Sequence, residues 1–156
     1  MSFYYSLMVS AEWETRGAAP FTQETIAYLL GASSTPPPAW PDDPHFATAD
    51  GREPLFPVSA TQRWPHAVAQ LVPLRLDGPE PADWRLILHT QGNDMPAFCR
   101  CLDLLAWLAQ FVHADGPIGM FFSPDLPDTP PHLLWVQSGQ LFEGPEPGQL
   151  HAIRQA

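Results

Sequence analysis

The sequence predicts an α+β fold with a mostly antiparallel sheet and two helices packed on one face. The length of 156 residues suits one domain with one hydrophobic core. Several short segments alternate apolar and polar residues, as strands do, and one long segment repeats its apolar residues at helical spacing. The predicted order, β, α, long loop, β, β, α, β, β, is compatible with a decorated ferredoxin-like split βαβ arrangement.

The first two elements are a strand and a short helix. Phe3–Ala11 is rich in aromatic and β-branched residues and has its larger apolar side chains on one face. Thr22 is a suitable N-cap, and Gly31 is a suitable stop after the last turn. These signals predict a helix over Gln23–Leu30.

A proline-rich insertion follows from Ala32 to Pro65. It contains eight prolines, each of which lacks the backbone donor that a helix or a sheet ladder needs. The pattern therefore predicts a long loop inside a single domain that spans residues 1–156. Long loops in compact domains are often functional.

The middle of the chain predicts two paired strands. Ala69–Leu76 has a proline at Pro73, which favours a position at the sheet edge. Trp84–Thr90 is a stronger strand, and the Asp77-Gly78-Pro79 turn between the two predicts antiparallel pairing.

The main helix begins at a cap formed by Asn93 or Asp94 and ends before Gly116-Pro117. Its apolar stripe, which we expect to cover the sheet, recurs at helical spacing: Phe98, Leu102, Leu105, Leu108 and Val112. The remaining segments predict four short strands, the last at a sheet edge: Ile118–Ser123, Leu133–Gln137, Gln140–Phe142 and Leu150–Ile153.

The net charge limits the classes of partner that this protein can bind. Seventeen acidic residues against seven basic ones give a net charge of -10, which repels nucleic acids and anionic membranes and attracts basic proteins.

Cys99 and Cys101 lie two apart in the main helix and point to different sides, so we expect free thiols in a reducing compartment. Met1–Ser10 has no signal-peptide pattern, and no apolar run is long enough to cross a membrane. We expect a cytoplasmic protein.

The candidate catalytic clusters are weak. Asp42-Asp43-Pro44-His45 contains metal-ligand types, but no second His/Asp pair follows at ligand spacing, which favours a solvated loop. Glu12 and Glu14 would share one face of a strand end, where surface charge or a partner contact is the simpler interpretation than acid–base catalysis. No nucleotide-binding or hydrolase motif is present in the sequence. We expect a protein without catalytic residues, metal or cofactor.

The tryptophans beside loops are the stronger candidates for function. Trp13 and Trp40 either fold back onto the core or serve as interface anchors for a partner. Aromatic anchors inside an acidic rim form a suitable surface for a basic protein, because charge speeds encounter and buried rings supply affinity. The predicted partner-binding residues are those of two segments: Glu12, Trp13, Glu14, Trp40, Asp42, Asp43, Asp50 and Glu53.

In organisation the sequence resembles the cognate immunity proteins of bacterial polymorphic-toxin and type VI secretion systems. The resemblance rests on the opening strand with its charged Trp segment, Phe3–Arg16, on the long amphipathic helix, and on two later segments. These are Gly119-Met120-Phe121-Phe122-Ser123 and Leu133-Leu134-Trp135-Val136-Gln137-Ser138-Gly139. The resemblance implies a cytoplasmic non-enzyme that binds one toxin with a basic surface and occludes its active site.

Two other classes of function stay open at this level. A small adaptor or structural subunit of a larger assembly would form a homo-oligomer or several weaker contacts. An enzyme would need a titratable cluster in a pocket.

Overall fold

Seven strands and one long helix make up the described part of the chain. The computed structural model describes residues 4–14, 24–25, 27–28, 33–38, 40, 68–74, 83–92, 95–112 and 114–153. Helix α1 (Met95–Leu108) continues into a 3-10 turn, Ala109–Phe111. The strands are β1 (Tyr5–Glu14), β2 (Val68–Pro73), β3 (Asp83–Gly92), β4 (Gly116–Phe122), β5 (His132–Gln137), β6 (Gln140–Gly144) and β7 (His151–Ala152).

The strands form one sheet in the order β2-β3-β1-β4-β5-β6-β7, and each neighbouring pair that the structure describes is antiparallel. β1 is an interior strand between β3 and β4, and it pairs with β3 along its whole length, from Tyr5 opposite Gly92 to Glu14 opposite Asp83. This long partner explains why β1 continues past its predicted end at Ala11. The α+β class with a mostly antiparallel sheet is as the sequence predicts.

Side chains alternate between two faces of the sheet, and we call the face covered by α1 the inner face. The inner-face residues of β1 are buried: Tyr5, Leu7, Val9, Ala11 and Trp13. The Tyr5 and Phe98 rings lie 4.4 Å apart, which joins β1 to the first half of α1. Leu105 and Leu108 are buried as predicted, and Leu102 packs at the margin of the core. This contact between helix and sheet is the main hydrophobic core.

The end of the main helix differs from the prediction. The α-helical part stops at Leu108, and Val112 is extended and forms a backbone bridge with Trp13. A short 3-10 turn commonly ends an α-helix, because its tighter hydrogen bonds satisfy the last carbonyl groups. Val112 thus joins the end of β1 instead of completing the helical stripe.

The segment between β1 and β2 is described in part. Residues 24, 25, 27 and 28 are helical, within the predicted helix Gln23–Leu30. Residues 33–38 and 40 form bends, turns and irregular backbone, and the rest of the proline-rich insertion lies outside the described residues. β2 and β7 lie at the two edges of the described sheet, as Pro73 and the shortness of the last strand predict.

Candidate functional site

The face of the sheet opposite α1, which we call the outer face, carries exposed apolar side chains. Seven large apolar side chains in the described residues are more than a third exposed. Two of them, Met95 and Leu126, lie on α1 and on the β4–β5 loop, and Tyr4 and Leu74 lie directly beside strand ends. The other three lie at outer-face positions of the adjacent strands β3, β1 and β4: Met8, Ile87 and Met120. The outer face is therefore an exposed apolar surface of the described chain.

The registers place these side chains in rows across the strands. Met8 is opposite His89 on one side and opposite Met120 on the other, and Met120 is opposite Leu133. Side chains directly opposite each other on one face are neighbours at about 5 Å. The row from β3 to β5 thus forms a stripe with two methionines at its centre.

A second row continues the apolar surface towards β7. Trp135 is opposite Pro117 in β4 and opposite Phe142 in β6, and Phe142 is opposite Ala152. Both aromatic side chains are half-buried. The outer face thus combines half-buried rings with methionine and isoleucine side chains that are 37% exposed.

Charged groups lie at the two ends of this surface. At one end Glu12 forms an exposed ion pair with Arg85 across β1 and β3. At the other end Asp125 accepts a hydrogen bond at 3.2 Å from the backbone N–H of Tyr4. The middle of the face carries neutral groups, among them Ser6, Ser10 and Gln91. The apolar centre is therefore bordered by carboxylates at both ends.

Ser6 and His89 form a hydrogen-bonded pair on the same face. Ser6 Oγ lies 3.5 Å from His89 Nε2 and 3.5 Å from Gln91 Nε2, which donates to it. A nucleophilic serine must be reached by the substrate carbonyl, but Ser6 has no solvent exposure. This pair connects β1 to β3 and lacks the access that acyl transfer requires.

The predicted partner-binding residues are not gathered into one patch by the described structure. Glu12 is exposed on the outer face. Trp13 is on the inner face and only 2% exposed, and Trp40 is 8% exposed. Glu14 ends β1, and nothing further is described for its side chain. The other predicted residues lie outside the described residues: Asp42, Asp43, Asp50 and Glu53.

The prediction of exposed aromatic anchors is therefore wrong for Trp13 and Trp40. Trp13 follows the inner-face alternation of β1 and packs in the core. The Trp40 ring lies 4.8 Å from Tyr28 and 4.9 Å from Trp107, both in edge-to-face arrangements. Both rings instead fold back onto the core, which was the alternative. Burial of a large aromatic ring is favourable even for a residue that lies beside a loop.

The outer-face residues Met8, Ile87 and Met120 were missed by sequence reasoning. A signal was present, because the segments around Leu86–Leu88 and Gly119–Phe122 are apolar at consecutive positions. A strand with apolar residues on both faces either is covered on both faces or exposes one apolar face to solvent.

A second polar pair lies at the open end of β5 and β6. His132 Nδ1 is 3.2 Å from Glu143 Oε2, and the imidazole stacks on Phe121 at 4.9 Å. In the part of the chain that the structure describes, no three His, Cys, Asp or Glu side chains are grouped so that they could hold a metal ion. This pair is an interstrand contact across the β5–β6 hairpin.

A cavity of about 700 Å³ lies between the end of α1 and the last strands. Trp107, Gln110 and Leu141 contribute to its lining, and no titratable side chain is among the described residues that line it. These residues offer apolar packing and amide hydrogen bonds.

Comparison with protein-family models, with curated proteins and with solved structures found no match to this chain. Among the helices of the described residues, none has both the length and the apolar character needed to cross a membrane.

Proposed function

We propose that this protein is a non-catalytic immunity protein that binds a cognate bacterial toxin and neutralises it by occluding its active site. The observation that carries the proposal is the outer face, where Met8, Ile87 and Met120 on three adjacent strands are each 37% exposed in an acidic protein. Large exposed apolar patches on soluble proteins mark interaction sites. An acidic surface around such a patch is suited to a basic protein.

The net charge of -10 supports a partner of opposite charge. Toxins that act on nucleic acids need basic surfaces to bind phosphates, and an acidic protein competes for those surfaces. Electrostatic attraction of this kind raises the association rate, which is useful to a protein that must capture a toxin before it acts.

The candidate nucleophiles favour binding over catalysis. Burial raises the pKa of the Cys101 thiol to about 12, so the reactive thiolate is scarce at neutral pH. Ser6 is fully buried beside His89. A binding function uses the rigid paired sheet as a platform and needs neither side chain to react.

The proposal also covers the location and the finer fold. The free thiols Cys99 and Cys101 are compatible with the reducing cytoplasm, where the toxin would act.

We infer a ferredoxin-like split βαβ unit over the first four strands, with helix Gln23–Leu30 beside α1 on the inner face. The sheet order β2-β3-β1-β4, with α1 connecting β3 to β4, supports it. A crystal structure with helix Gln23–Leu30 on the outer face would contradict this arrangement.

Coexpression tests the function. The neighbouring open reading frame supplies the toxin domain: the proposal expects it to encode a large protein with a variable C-terminal domain, and a metabolic operon there would count against the proposal. This protein should restore growth of cells that produce the domain, and the two purified proteins should elute together as a stoichiometric complex. Growth arrest that persists, with no complex formed, would contradict the proposal. A stable homo-oligomer without toxin binding would favour the alternative, a small adaptor or structural subunit of a larger assembly.

A further inference from the structure

We propose that the toxin docks on the outer face of the sheet, with Met8 and Met120 at the centre of the interface. This inference rests on the proposed function and names the surface that carries it. It replaces the segments Glu12–Glu14 and 40–53 as the principal contact. The partner is a folded protein with an apolar centre and a basic rim.

The centre of the interface follows from exposure and register. Met8 and Met120 are opposite each other in β1 and β4, and each is 37% exposed. Ile87, equally exposed, is opposite Ser10 in β1. Methionine side chains are flexible and polarisable, so they adapt to the shape of a partner surface. An interface centred here removes three large apolar side chains from water.

The rim of the interface follows from charge. Glu12 and Asp125 border the face at its two ends, and the Arg85 guanidinium on this face is already paired with Glu12. No uncompensated cation therefore lies among the outer-face residues that the structure describes. Basic side chains on the partner would meet Asp125 and the net negative charge of the chain, which steers the encounter.

The same charges disfavour a second copy of this chain as the occupant. A symmetric dimer brings the same patch of each subunit together. One end of the outer face carries the Glu12–Arg85 ion pair, which has no net charge, so the repulsion between two copies comes mainly from the whole chain. Two chains that each carry a net charge of -10 repel each other at long range. A basic heteropartner removes this repulsion.

An exposed methionine elsewhere supplies a matched control. Met95 is on the first turn of α1 and is at least as exposed as Met8 and Met120. Substitution there changes the same kind of side chain on the helix that covers the opposite face of the sheet. A general effect of added charge would therefore affect this control equally.

The experiment measures binding of the toxin domain encoded beside this gene to wild-type protein and to variants. M8R/M120R should raise the Kd about 100-fold or more, since central interface residues dominate affinity. M95R should leave the Kd within about threefold. M8D should also weaken binding, because a charge of either sign is unfavourable in an apolar centre. Circular dichroism checks that each variant folds, and M8S/M120S repeats the test if the arginine variant does not.

The outcomes separate this inference from the proposed function. If the wild-type protein neither binds nor neutralises the toxin domain, the proposed function fails and the docking surface fails with it. If the wild-type protein binds and the folded outer-face variants bind equally well, the docking surface alone is wrong. A wild-type homodimer in sedimentation that M8R/M120R converts to monomers would also overturn the proposal, because a second copy would then cover the face.

Discussion

The two cysteines show how one helical turn gives the same side chain two environments. Cys99 is exposed on α1, whereas Cys101 is buried against the sheet. Desolvation is the main cause that raises the pKa of the Cys101 thiol to about 12, from 9.0 for an ordinary thiol. Arg100 nearby acts in the opposite direction and is outweighed. The burial of the main helix thus governs the chemistry of one of its own side chains.

This pKa difference predicts a pH dependence of stability. Between about pH 9 and pH 12 the unfolded chain loses the Cys101 proton while the folded chain retains it, so the free energy of unfolding falls as pH rises. Below pH 9 both states hold the proton, and this contribution is constant. Urea unfolding of wild type and of Cys101→Ala at pH 8 and pH 10.5 measures it. The wild-type protein should lose more stability over that interval, and equal losses would show that Cys101 is not buried as a neutral thiol.

Trp40 provides the second residue-scale prediction. Its ring lies between Tyr28 and Trp107, which links the segment after β1 to the end of α1. Trp40→Ala should therefore lower the free energy of unfolding by about 3–5 kcal/mol, the usual cost of truncating a buried aromatic side chain. Trp40→Phe should cost less, because it keeps the edge-to-face contacts. An unchanged melting temperature together with faster toxin dissociation would instead support an exposed anchor.

At the scale of elements, α1 determines which face of the sheet is closed. Leu105 is 2% exposed at the centre of the helical stripe. Leu105→Ala should lower the free energy of unfolding by about 2–5 kcal/mol, because a buried cavity replaces the removed methyl groups. Leu126→Ala is the matched control on the exposed β4–β5 loop and should change stability by less than about 0.5 kcal/mol. Thermal denaturation of both variants tests the pair, and equal melting temperatures would show that the helix does not cover the core.

The contact between β1 and β4 depends on Gly119. A Cβ atom at this position would collide with the carbonyl oxygen of Met8 and lie 2.9 Å from the Cα of Val9. Gly119→Ala should therefore force the two central strands apart and cost about 1–3 kcal/mol. Gly148→Ala is the control, since a Cβ there meets no atom within 4 Å. Chemical denaturation distinguishes them, and a Gly119→Ala protein as stable as wild type would show that the strands are not in such close contact.

For the whole molecule, charge governs encounter with a partner. Asp42→Asn/Asp43→Asn removes two of seventeen carboxylates and should slow association with the toxin domain and weaken its salt dependence. The dissociation rate should change little, because long-range charge acts mainly on encounter. Ser34→Asn is a neutral control in the same part of the sequence. Stopped-flow kinetics from 50 to about 500 mM salt tests this, and an unchanged slope would show that these two carboxylates do not steer the partner.

Much of the fold could be predicted from the sequence, because strands and helices follow local periodicity. The stripe through Phe98, Leu105 and Leu108 predicts the buried face of α1, and the proline at Pro73 predicts an edge strand. The end of α1 was less predictable, because Val112 fits the helical stripe but pairs with Trp13. The pairing of Val112 depends on Trp13, which is about a hundred positions away in the sequence. A local pattern carries no information about so distant a residue.

The sequence by itself determined the charge of -10, the α+β class and the identity of the main amphipathic helix. These properties depend on composition and on neighbours within one or two helical turns. Only the tertiary structure decided that Trp13 and Trp40 are buried and that Met8, Ile87 and Met120 are exposed. The physical reason is that a strand has two faces, and α1 covers one of them. Which side chains remain for a partner depends on where that helix packs.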